Sequence, residues 1–299
     1  MKKIVLFLLL TFPILGVSQE TDWYTSLEAA KRLALIQDKL ILMVWEESTL
    51  YPEPVKVSND RGGSIVIENM FKNEYINNLI WEHFIPVVVN ESQYTELYEK
   101  IKGKHSKKYI DKFNDDSIKI LDANGTIINR IVVYDNFYLN ITTFVERYAL
   151  STSILKGELT NYSKQKDFYT TFRLASKYID FGIYVNKEVR AEIIKVSSIY
   201  LDEANTYLND TIENKQTLLQ RMDLLRIKQS LVLNKPRKAL RQLKRMDPSE
   251  IIEANTALVD FLYYTAYGLL KDEKNASALR SKLSLVNLKK ATQIINKNF

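Results

Sequence analysis

The stretch Leu40–Ser64, "LILMVWEESTLYPEPVKVSNDRGGS", decides how the chain folds. Its first six residues are a continuous apolar run of strand length, the pattern of a strand buried on both faces. A polar, proline-bearing segment follows. It ends in Asp60-Arg61-Gly62-Gly63, a combination typical of turns. Beyond it, Val66, Met70, Ile76 and Ile80 read as one long helix over residues 64–82. Upstream, "SLEAAKRLALIQ" (26–37) has apolar residues at helical spacing, with Ser26 as N-cap. Downstream come a second buried strand, "FIPVVVN" (84–90), and a helix, "YTELYEKI" (94–101). "SIKILD" (117–122) and "TIINRIVVY" (126–134) read as two strands joined by Asn124-Gly125, a strong hairpin signal, before a closing helix, "ITTFVERYAL" (141–150). Helix and strand units alternating in this order predict an α/β layer.

From about residue 160 strand patterns disappear. Val189, Ile193, Val196, Tyr200, Ala204 and Tyr207 mark one helical face; Leu218, Met222 and Leu225 mark another; Leu258, Leu262, Ala266 and Leu269 mark a third. Breaks at "GIYVNKE", "LND", "LNKP", "MDPSE" and "KDEKNAS" divide the region into roughly five or six helices. Residues 230–250 resemble a tetratricopeptide-type helical hairpin, without a clean repeat period. The expected class is therefore α/β followed by all-α.

The chain has 299 residues, ample for a sizeable core. Lys2 and Lys3 precede the apolar run "IVLFLLLTFPILG", and Gly16 and Ser18 are small residues placed for a cut before Gln19. This is the pattern of a secretory signal peptide, so a periplasmic or secreted location is expected. The predicted divisions are a leader (1–18), an α/β domain (19–152) and a helical domain (153–299). Once the leader is removed, residues up to 150 carry 15 basic and 20 acidic side chains, whereas residues 151–299 carry 25 and 16. That change of sign supports the boundary. There is no cysteine, which excludes thiol–disulfide exchange, thiolate catalysis and cysteine–metal sites. With only His83 and His105 as histidines, no metal site and no cofactor is called for.

"DWYTSLEAAKRLALIQDKLILMVW", "MFKNEYINNLIWEHFIPVVVN" and "IKILDANGTIINR", in that order, resemble the successive blocks of secreted bacterial thioredoxin-like proteins of the Bacteroidetes type. The resemblance covers about residues 23–150. It implies a thioredoxin-like domain, followed here by TPR-like helices. The family's redox motif opens the helix after the first strand. Counting forward from that strand places the motif within Glu46–Pro54. Counting back from Phe71 through a continuous helix places it at Asp60, Arg61, Gly62 and Gly63, with "EESTLYPEPVKVS" mostly an inserted loop. The second count is preferred, because loops accept insertions more readily than helices. The family's cis-proline position falls at Asp116, where a trans peptide is expected.

Two other features are candidate sites. Asp60–Ser64 reads either as an anion or carboxylate site at a helix start or as a turn capped by Ser64. Arg237, Lys238, Arg241, Lys244 and Arg245 form a basic patch. It suits an acidic partner, a membrane surface or the acidic first domain, or is simply a solvated helix face. Nucleic acid is not an expected partner. The leading functional expectation is a redox-inactive, non-catalytic protein- or peptide-binding factor of the cell envelope. The alternatives are a thiol-independent enzyme and a holdase-like chaperone using the helical groove.

Overall fold

The computed structural model describes residues 23–129, 134–135 and 137–298. The leader with its cut site, and residues 130–133 of the second predicted hairpin strand, lie outside these. Helix α1 (Leu27–Gln37) starts where Ser26 accepts a hydrogen bond from the Ala29 N–H and stops at Asp38, which is left-handed at φ 55°. Strand β1 (Leu40–Trp45) follows, its first five residues buried, and then a single 3-10 turn, Glu46–Thr49. Next come β2 (Val55–Ser58), β3 (Ser64–Ile67), α2 (Glu74–His83), β4 (Phe84–Val89), α3 (Glu91–Ile101) and α4 (Lys107–Asn114). The first half closes with β5 (Lys119–Leu121), β6 (Tyr134–Asp135), β7 (Tyr138–Asn140) and α5 (Ile141–Tyr148).

These strands form two sheets. The three-stranded one has the order β4-β1-β5, with β4 parallel to β1 and β5 antiparallel through Met43↔Lys119. The predicted hairpin partner of β5 is present as a Leu121↔Ile127 bridge and an Ile128 N–H to Ile120 carbonyl bond of 2.8 Å. Gly125, at φ 91°, makes its turn. The second sheet has the order β3-β2-β7-β6.

The helix read over 64–82 is corrected: residues 64–67 are a strand, and the helix starts only at Glu74. Ile65, Val66 and Ile67 are consecutive β-branched residues, stiff at χ1 and suited to a strand. Asn73 then caps α2 by accepting from the Ile76 N–H at 3.0 Å, which fixes its start. Val55–Ser58 is likewise a strand rather than part of an inserted loop. Helix α4 carried no expectation at all; its eight residues include three lysines, leaving a short apolar stripe.

The second half consists of α6 (Lys156–Lys164), α7 (Phe168–Tyr184), α8 (Lys187–Tyr207), α9 (Lys215–Val232), α10 (Pro236–Leu243), α11 (Thr256–Leu269), α12 (Glu273–Arg280) and α13 (Leu285–Asn296). There are eight described helices rather than five or six, because α6 and α12 are polar and bury only Leu159, Tyr162 and Ala276. Gly182 lets α7 and α8 approach: a Cβ there would lie 2.8 Å from Ile194 Cδ1. Among the described residues no helix is long and apolar enough to cross a membrane.

One hydrophobic core runs through both halves, from Leu27 and Ile41 to Leu262 and Ile294. Polar contacts reinforce the junction. The Thr152 N–H bonds the Asp38 carbonyl at 2.9 Å, Lys156 pairs with Asp38 at 3.0 Å, and the Tyr148 hydroxyl donates to Glu192 at 2.9 Å.

Candidate functional site

Asp60–Gly63 is a hairpin turn joining β2 to β3, not the start of a helix. The Asn59 carboxamide oxygen accepts from the Arg61 and Gly63 N–H groups at 3.0 and 2.9 Å, and the Gly62 N–H bonds the Asn59 carbonyl. Gly62 adopts φ 77°, and a side chain at Gly63 would meet the Asn59 amide at 2.9 Å. The turn amides are thus engaged by Asn59. Ser64 belongs to β3 and caps nothing. The backward count through a continuous helix has no helix to run through.

The forward count falls on the 3-10 turn Glu46–Thr49 and the residues just after it. The 3-10 turn at the carboxyl end of β1 lies against the loop before β5, where the Ser48 hydroxyl donates to the Asp116 carbonyl at 3.3 Å. So Asp116 meets Glu46–Thr49, while Asp60–Gly63 sits in the other sheet. No cis peptide occurs among the described residues. The turn then delivers Leu50 and Tyr51 to solvent, 72% and 74% exposed.

Directly behind lies a polar cluster that sequence reasoning missed. Lys119 faces Met43 across the β5–β1 pairing, so its side chain shares a sheet face with Met43 and Trp45. It is fully buried, with Nζ bonded to the Asp115 carbonyl, 3.4 Å from Asp115 Oδ1 and 5.5 Å from the Tyr94 ring centre. Lys112, also buried, reaches Asp115 Oδ2 at 3.2 Å and bonds the Ser117 hydroxyl. Ser117 in turn bonds Asp115 Oδ1 at 2.5 Å. Burial pushes the Asp115 carboxyl up, but Ser117 and the two ammonium groups outweigh it and hold it below the usual range. Burial, with help from the Lys112 charge, pushes Lys119 down to about 8 against the pull of Asp115. Burial, and then the Asp115 and Asp116 carboxylates, raise the Tyr94 phenol.

At the other end of β5 stands a second acid with the opposite surroundings. Asp122 is fully buried and forms no ion pair within 4 Å among the described residues. Oδ1 accepts from the Asn124 and Thr126 N–H groups, both at 2.9 Å. Oδ2 accepts from the hydroxyls of Tyr178 and Tyr200 at 2.8 and 2.6 Å, and Tyr200 also meets Thr126 Oγ1 at 2.9 Å. Burial raises its carboxyl, only partly opposed by these donors. The two phenols, buried beside that carboxylate, are raised well above their ordinary value. Asp122 is the aspartate of the Leu-Asp-x-x-Gly hairpin; the visible signal was the turn, and nothing marked its distant tyrosine partners.

The basic patch is exposed as a whole. Arg237, Lys238 and Arg241 lie on α10, while Lys244 and Arg245 follow its last turn. Ala239 and Leu243 are the buried side of this helix. None of the five forms an ion pair within 4 Å among the described residues, and α10 packs on α9 and α11, away from the acidic half. Asn275 holds the Asp272 carboxyl below its usual range, and Lys244 adds a smaller charge effect. An open cleft of about 320 Å³ lies at the junction of the halves, lined by Leu150, Ile154, Phe181 and Tyr184 among others. Among the described residues no group of three potential ligands converges to hold a metal.

Compared with known protein families, curated proteins and solved structures, the chain matches none.

Proposed function

We propose that the protein is an exported, redox-inactive factor of the cell envelope that binds polypeptide segments without catalysis, on a thioredoxin-like layer with a TPR-like helical half fused to it. The strand order β4-β1-β5, with one parallel and one antiparallel partner of β1 and a bridge continuing past β5, supports that layer. One observation carries the function. At the carboxyl end of β1, where a thioredoxin-like protein keeps its thiols, this chain presents the exposed apolar pair Leu50 and Tyr51 beside the Asp116 loop. Exposed aromatic and aliphatic side chains at such an edge suit contact with another chain. The polar cluster behind is internally paired and serves as a rigid floor.

A thiol-independent enzyme has one observation in its favour, the Ser117 hydroxyl between Asp115 and Lys112. However, the lysines that gather there keep Asp115 ionised and weaken it as a base. A serine-reactive phosphonate probe is expected to leave Ser117 unlabelled; labelling lost in Ser117→Ala would favour the enzyme.

The binding reading is tested by a photo-crosslinking residue at position 51, with Ile36, 67% exposed on α1, as control. A reproducible polypeptide adduct at 51 and none at 36 is expected. Equal labelling at both, or none, would refute the site.

A further inference from the structure

Strand β3 ends the second sheet, and its outer side has no neighbour among the described residues. The hairpin register pairs Lys56 with Val66 and Ser58 with Ser64. Position 56 pairs with Asn140 of β7, and the Ser58 N–H bonds Thr142, so both turn their polar backbone away from β3. On the other side of this alternation, the Asn59 N–H bonds the Gly63 carbonyl at 2.9 Å. Alternation along an antiparallel pair then sends the N–H and C=O groups of Ser64 and Val66 to the open edge. Ile65, between them, is 64% exposed and Val66 itself 51%. An open edge carrying apolar side chains is a template for another strand.

We propose that the open edge of β3 pairs antiparallel with the same strand of a second copy, joining two four-stranded sheets into one of eight strands. The register follows from the hydrogen-bonding groups. Only Ser64 opposite Val66 of the other copy engages all the outward groups of both residues in both chains. That register puts the two-fold axis at Ile65, so the two Ile65 side chains face each other in a non-hydrogen-bonded pair and cover one another. It also places Glu68 of each copy opposite Gly62 of the other, where no side chain intervenes, within reach of Arg61. Arg61 and Glu68 are both exposed and neither has an ion-pair partner among the described residues. A strand that complements itself in backbone, apolar contact and charge fits a second copy better than an arbitrary peptide. This inference is independent of the Leu50–Tyr51 surface.

The chain's lack of cysteine makes the test clean. The Cα atoms of a non-hydrogen-bonded antiparallel pair lie about 4.5 Å apart, within the range a disulfide spans. Ile65→Cys under mild oxidation should form a covalent dimer, and Ile36→Cys should not. In sedimentation velocity the parent should dimerise with rising concentration. Arg61→Glu or Glu68→Arg should each weaken the dimer about tenfold, and the double exchange should restore it. Val66→Pro removes an outward N–H without touching the β2 pairing, so it should leave the circular dichroism unchanged and abolish the dimer. A parent monomeric at every concentration, Ile65→Cys oxidising no faster than Ile36→Cys, or a double exchange that fails to rescue would each overturn the proposal.

Discussion

Asp115 and Asp122 stand seven residues apart on either side of β5, and they solve the same problem in opposite ways. Asp115 sits at the edge of the first half, partly exposed, with two lysines and a serine drawn to it from its own stretch of chain. Asp122 is buried between the halves, without an ion-pair partner among the described residues, and takes two of its four donors from helices 56 and 78 residues away. The difference teaches where cooperation is required. Asp115 organises a local loop, and its partners Lys112, Ser117 and Lys119 lie within four residues of it. Asp122 is satisfied only if the α/β layer and the helical half come together, because a buried carboxylate stripped of its donors is strongly destabilising. The charge asymmetry that divides the sequence into two regions therefore does not divide the core.

The comparison breaks first, and hardest, if the halves are separated. Residues 153–299 alone should show no cooperative unfolding transition, because Tyr178, Tyr200 and Glu192 lose their partners and the shared apolar surface is bared. A sharp calorimetric transition in that fragment would contradict the fused core.

In the full chain, Asp122→Ala leaves two phenols and two backbone N–H groups unsatisfied, and should cost about 3–5 kcal/mol in guanidinium unfolding. Asp115→Ala, whose partners lie nearer water, should cost markedly less.

The same pair should also separate by pH. The Asp122 carboxyl is raised in the folded state, so its stabilising protonated form is present at low pH and lost as pH rises through the folded value. Asp115 is lowered, so its contribution is present above about pH 4 and lost on acidification. Asp122→Asn and Asp115→Asn should flatten opposite limbs of the stability–pH curve. At the alkaline end, Lys119 is held near 8, against 10.5 in the unfolded chain. Stability should rise between those values as the unfolded state alone retains the proton, and Lys119→Met should remove that rise.

The smallest effect is expected at the basic patch. Reversing Arg237, Lys238 and Arg241 should each change stability by about 0.5 kcal/mol or less, since they are exposed and form no ion pair among the described residues.

Much of the layer was legible in the residues. Leu40–Val44 and Phe84–Val89 are apolar runs whose burial on both faces leaves one interpretation, and Ser26 marks its helix start. The failure at Ser64–Ile67 has a local cause. Val66, Met70, Ile76 and Ile80 fit a helical period by coincidence across Asn69 and Asn73, and the consecutive β-branched residues carried the better signal. That error removes the basis of the preferred count, which ran through a helix where the chain forms β3 and a turn before Glu74. Asp116 lies in the loop before β5, but its neighbour Ser48 is 68 residues away, and no local pattern announces such a contact. The Asp122 junction was hidden for the same reason: Tyr178 and Tyr200 look like any helix-spaced aromatics until the fold brings their hydroxyls together.

The central claim is that the end of β1 binds polypeptide with Leu50 and Tyr51 in place of thiol chemistry. Panning a displayed peptide library against the full chain tests it most directly, with selected peptides titrated against the parent, the Leu50→Asp/Tyr51→Asp variant and the Arg237→Glu/Arg241→Glu variant. The account predicts enriched peptides that lose about tenfold or more in affinity for the first variant, a change of roughly 1.4 kcal/mol or more, and keep it for the second. No enrichment, or affinity indifferent to Leu50 and Tyr51, would contradict it.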